Sequence, residues 1–359
     1  GSGPQRASTA QRRATMQEEP QQERVEEEEE SITTLTLKDV QAALERIRPF
    51  VHETPVLTCA SLEENTPFHM FFKCENLQKT GSFKYRGASN FVLQLTEEQR
   101  KNGVVTHSSG NHAQALACAA HTHGVHAHIV MPENAPAVKR RATERFGPSS
   151  VTVYTCASTQ AAREEECERV RLETAAVLAP PYDHFFTMAG QGTIALEFLA
   201  QVPTLDCIIV PVGGGGMLSG IALAAKSLRP SIKIIGAEPA GADDAYRSFL
   251  SGVWQPQENP QTIADGLRTS LGTLTWPVIQ KYVDDIVTVS EEEIVAAMKL
   301  VFERLKTVIE PSAGVGVAVA LSPAFQDMAQ QWQHNTSSPP HVGIILCGGN
   351  LDLDALPWM

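Results

Sequence analysis

The chain has 359 residues, a hydrophobic content of 42% and a formal net charge of -12 at pH 7. A chain of this length can bury a large core and has room for two domains. Its acidic balance argues against nucleic acid as a partner, because non-specific binding depends on basic surface. No apolar run reaches the roughly 18 residues of a membrane span, so no membrane partner is predicted either.

The first 35 residues differ in composition from the rest of the chain. Residues 1–30 contain eight Glu and four Arg, and such a polar segment is predicted to be a disordered acidic tail. Its first four residues are typical of a cloning remnant. The arginines and hydroxyl residues resemble a transit peptide, but the dense glutamates do not. A cytoplasmic location is therefore predicted over an organelle.

The seven cysteines are scattered through the sequence. They form no CxxC pair and lack the regular spacing of a disulfide framework or a zinc site. An odd number of cysteines in a chain of this size is typical of a reducing compartment. We therefore predict reduced thiols with mostly structural roles.

From residue 36 onwards the pattern alternates between helices and strands, beginning with an amphipathic helix near 40–51. Strict alternation predicts parallel sheets with helices on both faces. The predicted strands are 70–72, 103–106, 127–131, 151–154, 207–212, 232–237, 286–289 and 342–346. The other predicted helices are 88–95, 114–120, 138–146, 159–178, 192–199, 218–228, 291–305 with Ser290 as N-cap, and 311–321.

Four polar turns each follow an apolar run. We call them the lysine turn (79–87), the serine turn (108–112), the glycine turn (213–217) and the cysteine turn (347–350). Turns at the carboxyl ends of parallel strands form the crevice where open α/β sheets bind ligands. The four turns therefore predict one site, with Lys84 as its exposed amine. The alternative for Lys84 is a solvated surface lysine.

The glycine turn is a candidate phosphate site, since glycines that open a helix present backbone N–H groups to an anion. It lacks the Lys-Ser/Thr of a P-loop and matches the dinucleotide GxGxxG pattern only loosely. The alternative is that four glycines serve only close helix and strand packing. A phosphate cradle together with a turn lysine is what pyridoxal phosphate needs.

The wording of the turns resembles the fold-type II pyridoxal-phosphate enzymes of the serine/threonine dehydratase and serine racemase group. The serine turn and residues 82–87 carry the likeness, which extends from about residue 37 to residue 352. It implies two open, twisted, mostly parallel sheets with helices on both faces. It also implies a large cofactor-binding domain at 36–105 and 184–359, with an inserted small domain at 106–183. Further matching stretches are 71–75, 189–197, 211–217, 263–266 and 309–317.

The resemblance assigns cofactor roles. Lys84 would hold the cofactor as a Schiff base and act as the base on one face of the substrate Cα, with Phe83 packed on the pyridine ring. Asn111 would hydrogen-bond the phenolic oxygen. Cys347 stands where the family often has a serine beside the pyridine nitrogen. The remaining implied cofactor residues are Gly213, Gly214, Gly215, Gly216 and Met217 for the phosphate, and Glu310.

Racemisation needs a proton donor on the face opposite the lysine, and the resemblance implies that Ser109 supplies it. The alternative for Ser109 is a turn or N-cap hydroxyl. Arg163 stands where these racemases have an arginine near the substrate, and its alternative is a solvated arginine on a charged helix. The implied substrate residues are Ser108, Ser109, Asn111, His112 and Gly266.

The resemblance also implies a divalent metal site at Glu238, Ala242 and Asp244. Two carboxylates and a backbone carbonyl are hard oxygen ligands, which suit Mg²⁺ or Ca²⁺. Without the resemblance, this acidic stretch after a strand indicates only a solvated turn.

A nucleotide site is implied in part. Cys59 and Ala60 replace a Ser-Ser pair that contacts ATP in the animal racemases, which argues against activation by ATP. The positions that still match are Lys79, Thr80, Gln114, Arg304 and Lys306.

Three further positions bear on the substrate. Tyr182 replaces an asparagine that touches substrate in the animal racemases, and Phe146 replaces a tyrosine near the active and nucleotide sites. Asp183 would meet the second carboxylate of aspartate, so aspartate is not expected as the main substrate.

The resemblance implies a homodimeric enzyme that racemises L-serine and also converts it to pyruvate and ammonia by β-elimination. One alternative is a serine/threonine or 3-hydroxyaspartate dehydratase with little racemase activity. The other is a non-catalytic protein of the same fold that binds the cofactor or a small amino acid.

Overall fold

The computed structural model describes Gly1 and residues 34–135, 137–333 and 338–359. The predicted acidic tail therefore lies almost entirely outside the described residues. Residues 36–359 form one compact unit. The division into a large and a small domain stays a prediction.

The strands are numbered in chain order. They are β1 (Val56–Leu57), β2 (His69–Lys73), β3 (Val104–His107), β4 (Ala127–Pro132), β5 (Val151–Cys156), β6 (Val177–Leu178), β7 (Cys207–Pro211), β8 (Lys233–Pro239), β9 (Asp285–Val289) and β10 (His341–Ile345).

The α-helices are numbered in the same way. They are α1 (Leu37–Ile47), α2 (Ala60–Glu63), α3 (Lys84–Leu93), α4 (Glu97–Asn102), α5 (Asn111–Thr122), α6 (Ala137–Glu144), α7 (Gln160–Thr174), α8 (Phe185–Gln201), α9 (Gly216–Leu228), α10 (Asp244–Ser251), α11 (Thr275–Tyr282), α12 (Glu291–Leu300), α13 (Pro311–Leu321) and α14 (Pro323–Gln333).

Two sheets organise the fold. The six-stranded sheet has the order β1-β2-β10-β7-β8-β9, and the four-stranded sheet has the order β5-β4-β3-β6. All pairings are parallel except that of the edge strand β1 with β2. Every residue of β7 and of β4 is buried, as expected for parallel strands covered on both faces. The prediction of two mostly parallel sheets is confirmed.

Helix α8 lies between α3 and α9 and makes close contact with both. A Cβ on Gly190 would lie 2.7 Å from the Cα of Gly87 in α3, and one on Gly192 would lie 2.8 Å from the Gly220 carbonyl in α9. The helices therefore cross at glycines, which allows their backbones to approach closely. This packing fixes the spacing between the lysine turn before α3 and the glycine turn before α9.

Four charged side chains lie buried under the first turn of α3. Arg86 donates from Nε to Glu75 Oε2 at 2.8 Å and from Nη1 to Glu197 Oε1 at 2.6 Å. Lys73 donates from Nζ to Glu197 Oε2 at 2.8 Å. Two cations thus balance two anions, and buried charge is tolerated only when it is paired in this way. The cluster ties β2, α3 and α8 together.

Several elements differ from the sequence-based prediction. Helix α8 begins at Phe185 rather than residue 192, because the His184 side chain caps it by accepting from the Phe186 N–H. The helix capped by Ser290 is confirmed, but α12 ends at Leu300 and a π-helical segment, Val301–Leu305, follows it.

Helices α10, α11 and α14 were not predicted. Two of them are eight residues long and α14 is eleven, and short helices of mixed composition have little periodicity of their own. No described helix is long and apolar enough to cross a membrane. All seven cysteines lie in the described part of the chain, and they are free there.

Candidate active site

Lys84 is the first residue of α3, and its side chain turns back toward residue 181. Its Nζ donates to the Pro181 carbonyl at 2.8 Å. Burial lowers the pKa of Lys84 to about 8, and the nearby Cys347 and Glu310 side chains oppose this effect. A larger share of the amine is therefore neutral near physiological pH than for an exposed lysine.

The lysine turn is strained and is held by a side chain from the cysteine turn. Thr80 has a φ of +62°, which is unfavourable for a β-branched residue and costs on the order of 1 to 3 kcal/mol. Asn350 Nδ2 donates to the Thr80 carbonyl at 2.7 Å and to Asn111 Oδ1 at 2.9 Å. Asn111 Nδ2 in turn donates to Glu310 Oε1 at 2.7 Å. One chain of hydrogen bonds thus joins the lysine turn, α5 and Glu310.

Glu310 and Cys347 are buried beside Lys84. Burial raises the pKa of Glu310 to about 8, with a smaller effect in the same direction from Asp265. Burial also raises the pKa of the Cys347 thiol well above its usual value. Both groups are therefore mainly neutral at pH 7.

The glycine turn enters α9 through Gly215, whose φ of +86° favours glycine. A Cβ on Gly214 would collide with the Tyr182 ring, and one on Gly213 would lie 2.9 Å from the Gly266 carbonyl. The N–H groups of residues 213–215 have no acceptor in the described chain. The turn is thus closely packed on one side and offers free N–H groups as well.

The serine turn connects β3 to α5. Ser108 N–H donates to the Val130 carbonyl, and Ser108 Oγ accepts from Gly110 N–H at 3.3 Å. Ser109 lies between them and is half-buried. His112 is buried with Nε2 2.9 Å from the Ala179 carbonyl, and burial lowers its pKa to about 3, so it stays neutral. That Ser109 faces Lys84 across a substrate stays a prediction.

Arg163 lies on α7 near the start of the serine turn. Its Nη2 donates to Gln160 Oε1 at 2.7 Å. The pKa of His107, the last residue of β3, is lowered by burial and then by the charge of Arg163. Arg163 Nε is buried without a partner in the described residues. The arginine is thus close to the site but has a free donor there.

The predicted metal residues come together at the end of β8. The Glu238 carboxylate accepts from Ala245 N–H at 3.0 Å and Tyr246 N–H at 2.8 Å. Asp244 Oδ2 accepts from Leu271 N–H, while its Oδ1 is buried without a partner in the described chain. Burial raises the pKa of both carboxylates, to about 6 for Asp244. Within the described residues no three acidic, histidine or cysteine side chains gather as a metal site.

The five predicted nucleotide residues fall in two places. Lys79 and Thr80 belong to the lysine turn, and Gln114 lies in the first turn of α5. Arg304 lies in the π-helical segment, and Lys306 follows it with a φ of +59°. No described contact joins the two groups directly.

Known proteins resemble this chain closely. Residues 47–348 match the family described as pyridoxal-phosphate dependent enzyme. The chain belongs to this family. It is 49% identical to a serine racemase of Arabidopsis thaliana over 88% of this chain and 93% of the relative.

Two solved structures agree with the pyridoxal-phosphate fold. The structure of maize serine racemase has a TM-score of 0.85 at 46% identity and covers 89% of this chain and 95% of its own. A bacterial-strain threonine deaminase, from the source abbreviated T.th., has a TM-score of 0.80 at 40% identity, with 89% and 99% covered. The predicted family, fold type and cofactor are thereby confirmed.

The residues present fit pyridoxal phosphate. Lys84 supplies an amine of lowered pKa, and the glycine turn supplies backbone N–H groups without other acceptors in the described chain, as a phosphate requires. Neutral Cys347 suits an unprotonated pyridine nitrogen. Asn111, which Asn350 holds by its Oδ1, is left with its Nδ2 as the donor.

Sequence reasoning missed three features of the site. Asn350 was noted only as part of the cysteine turn, although its position after an apolar run was the same signal that revealed Lys84. The Pro181 carbonyl carries no sequence signal. Asp183 is directed away from any substrate, since its carboxylate accepts from the N–H groups of Thr273, Leu274 and Thr275. The argument that Asp183 would meet a substrate carboxylate directly is therefore wrong.

Proposed function

We propose that the protein interconverts L- and D-serine and, as a side activity, converts serine to pyruvate and ammonia. The observation that carries the proposal is the likeness to proteins named serine racemase, at 49% identity over 88% of the chain. The bound cofactor supplies an electron sink for the negative charge that develops at the substrate Cα.

The chain's own residues have separate parts in this reaction. Lys84 takes the α-proton on one face, and its lowered pKa suits a base working near neutral pH. Ser109 returns or removes a proton on the other face. Backbone N–H groups of the serine turn and of Gly266 bind the substrate carboxylate, with Ser108 and His112 shaping the turn.

A dehydratase with little racemase activity is the second candidate. The likeness to a threonine deaminase structure at a TM-score of 0.80 favours it. Its substrates would be L-serine, L-threonine or 3-hydroxyaspartate. A non-catalytic binding protein is the third candidate, and the presence of Lys84 and Ser109 argues against it.

Chiral analysis of serine together with pyruvate release decides between the candidates. Starting from pure L-serine, we expect both D-serine and pyruvate from the wild type, and neither product from Lys84→Ala. Pyruvate without D-serine would identify the dehydratase. The absence of both products, with cofactor absorbance retained, would identify the binding protein.

We further propose that a divalent cation, Mg²⁺ or Ca²⁺, binds Glu238, Asp244 and the carbonyl of Ala242. The partnerless Asp244 Oδ1 supports this, because a buried carboxylate oxygen without a donor is costly. Water would complete the coordination.

We also propose a homodimer in the cytoplasm. The free state of all seven cysteines favours a reducing compartment. ATP is not expected to be required, since Cys59 and Ala60 lack the hydroxyls of the Ser-Ser pair. Mass measurement in solution and activity with and without ATP test both statements.

A further inference from the structure

Tyr182 occupies a central place between the main parts of the site. Its ring centroid lies 6.0 Å from Lys84 Nζ, and the ring packs so closely on Gly214 that a Cβ there would collide with it. Its hydroxyl is hydrogen-bonded to the side chain of Thr269, which follows Gly266 by three residues. A substrate whose Cα approaches Lys84 must therefore lie beside this ring.

The ring is held rigidly by its neighbours in the chain. On one side, the Pro181 carbonyl accepts from Lys84 Nζ at 2.8 Å. On the other side, Asp183 anchors the chain through N–H groups of residues 273–275, including 2.8 Å from Leu274 N–H. Gly216 gives the backbone of Tyr182 no room to shift, since a Cβ there would lie 2.9 Å from the Tyr182 Cα. Tyr182 is thus a fixed wall and not a mobile cover.

The chemistry of this wall favours small neutral side chains. The Tyr182 and Thr269 hydroxyls carry no charge to balance a carboxylate. Asp183 lies directly behind the ring, and its charge, like that of Glu164, acts on the phenol. The field at the wall is therefore negative, and desolvating a second carboxylate there without a cation is unfavourable.

From this geometry we infer that Tyr182 determines substrate specificity: it closes the side-chain pocket so that small hydroxy amino acids are accepted and acidic amino acids are excluded. The inference deepens the proposed function and rests on it, since it concerns the same pocket. It replaces the direct role first expected for Asp183, which acts only through the field behind the ring.

The test compares binding of L-serine, L-threonine and L-aspartate to the holoenzyme, read from the absorption spectrum of the bound cofactor. Tyr182→Phe keeps the wall, and we expect it to retain the preference for serine over aspartate. Tyr182→Ser removes the wall, and we expect the ratio of the aspartate to the serine dissociation constant to fall at least tenfold. Tyr154→Phe is the matched control, because it removes a tyrosine hydroxyl bonded to His128 on β4.

Three results would overturn the inference. One is an unchanged serine-to-aspartate ratio in a Tyr182→Ser protein that still melts cooperatively and binds the cofactor. The second is loss of the preference in Tyr182→Phe. The third needs no variant: wild-type protein that binds L-aspartate as tightly as L-serine.

Failure of the proposed function is recognised separately. If the wild type binds serine but forms no D-serine, racemisation is refuted while the role of Tyr182 stands. If D-serine forms but the Tyr182 variants leave selectivity unchanged, only the inference on Tyr182 fails. Wild type without any spectral response to serine would refute both.

Discussion

Lys84 has a pKa lowered from 10.5 to about 8 by burial, and this has a consequence for cofactor capture. Only the neutral amine attacks an aldehyde, so the rate of pyridoxal phosphate capture by cofactor-free protein should rise between about pH 7 and 9 and level off above. The folded-state pKa lies below the unfolded value, so the cost of charging Lys84 in the fold is largest below about pH 8 and fades as the pH rises toward 10.5.

Rapid-mixing absorbance measurements from about pH 6.5 to about pH 10.5 check this prediction, since they span the lowered and the ordinary lysine pKa. Lys84→Ala is the control and should give no covalent capture at any pH. A rate that keeps rising to a midpoint near the ordinary lysine pKa would contradict it.

Ser109 allows a separation of the two reactions. If Ser109 serves only the face opposite Lys84, Ser109→Ala should lower D-serine formation from L-serine by about 100-fold or more, the usual contribution of a positioned acid or base. Pyruvate formation from L-serine should change less than about threefold, because elimination uses the Lys84 face. The control is Ser108→Ala, which removes a turn hydroxyl bonded to Gly110. Equal losses of both products in Ser109→Ala would refute the two-face assignment.

At the scale of elements, α8 sets the distance between the lysine and glycine turns. In Gly220→Ala the new methyl group would lie 2.7 Å from Gly192 N–H and collide with the Met188 carbonyl. Overpacking of this kind costs about 1 to 3 kcal/mol, and the shift of α9 should also weaken cofactor binding. Urea unfolding and fluorescence titration with the cofactor measure the two effects.

Gly316→Ala in α13 is the matched control for that variant. Its Cβ would lie at ordinary contact distance, 3.5 Å from Ile344 and Pro211 side-chain atoms. Alanine in a helix interior is about 0.5 to 1 kcal/mol more stable than glycine, so this variant should be neutral or stabilising. If both variants behave alike, the close crossing of α8 and α9 does not set the geometry of the site.

The elements that sequence predicted well are those with local signals. The strand β7 and the glycine turn could be predicted because an apolar run ends in four glycines, and the N-cap Ser290 because Glu293 completes its capping box. The early start of α8 could not be predicted, since it depends on one histidine cap. The anchoring role of Asp183 depends on residues 90 positions away and leaves no local pattern.

At the scale of the whole molecule, strand order is the part that local patterns cannot give. β10 lies between β2 and β7, and this insertion brings the cysteine turn beside the lysine turn, as in the pairing of Ser82 with Gly348. The sequence predicted that the four turns form one site because parallel strands share an edge. The resemblance to a known family, and not periodicity, supplied the roles of Ser109 and of the metal residues.

The proposed cation should stabilise the whole molecule. Asp244 and Glu238 connect β8 to α10, and a ligand that binds only the folded state adds about 2.7 kcal/mol at roughly one hundred times its dissociation constant. For a protein of this size, Mg²⁺ or Ca²⁺ should raise the melting temperature over that in EDTA by roughly 4 °C. Asp244→Asn keeps an oxygen for the Leu271 N–H but loses a ligand charge, so its melting temperature should no longer respond to the metal. Equal melting temperatures of the wild type in EDTA and in either metal would refute the site, because a buried Asp244 Oδ1 would then have its partner in water.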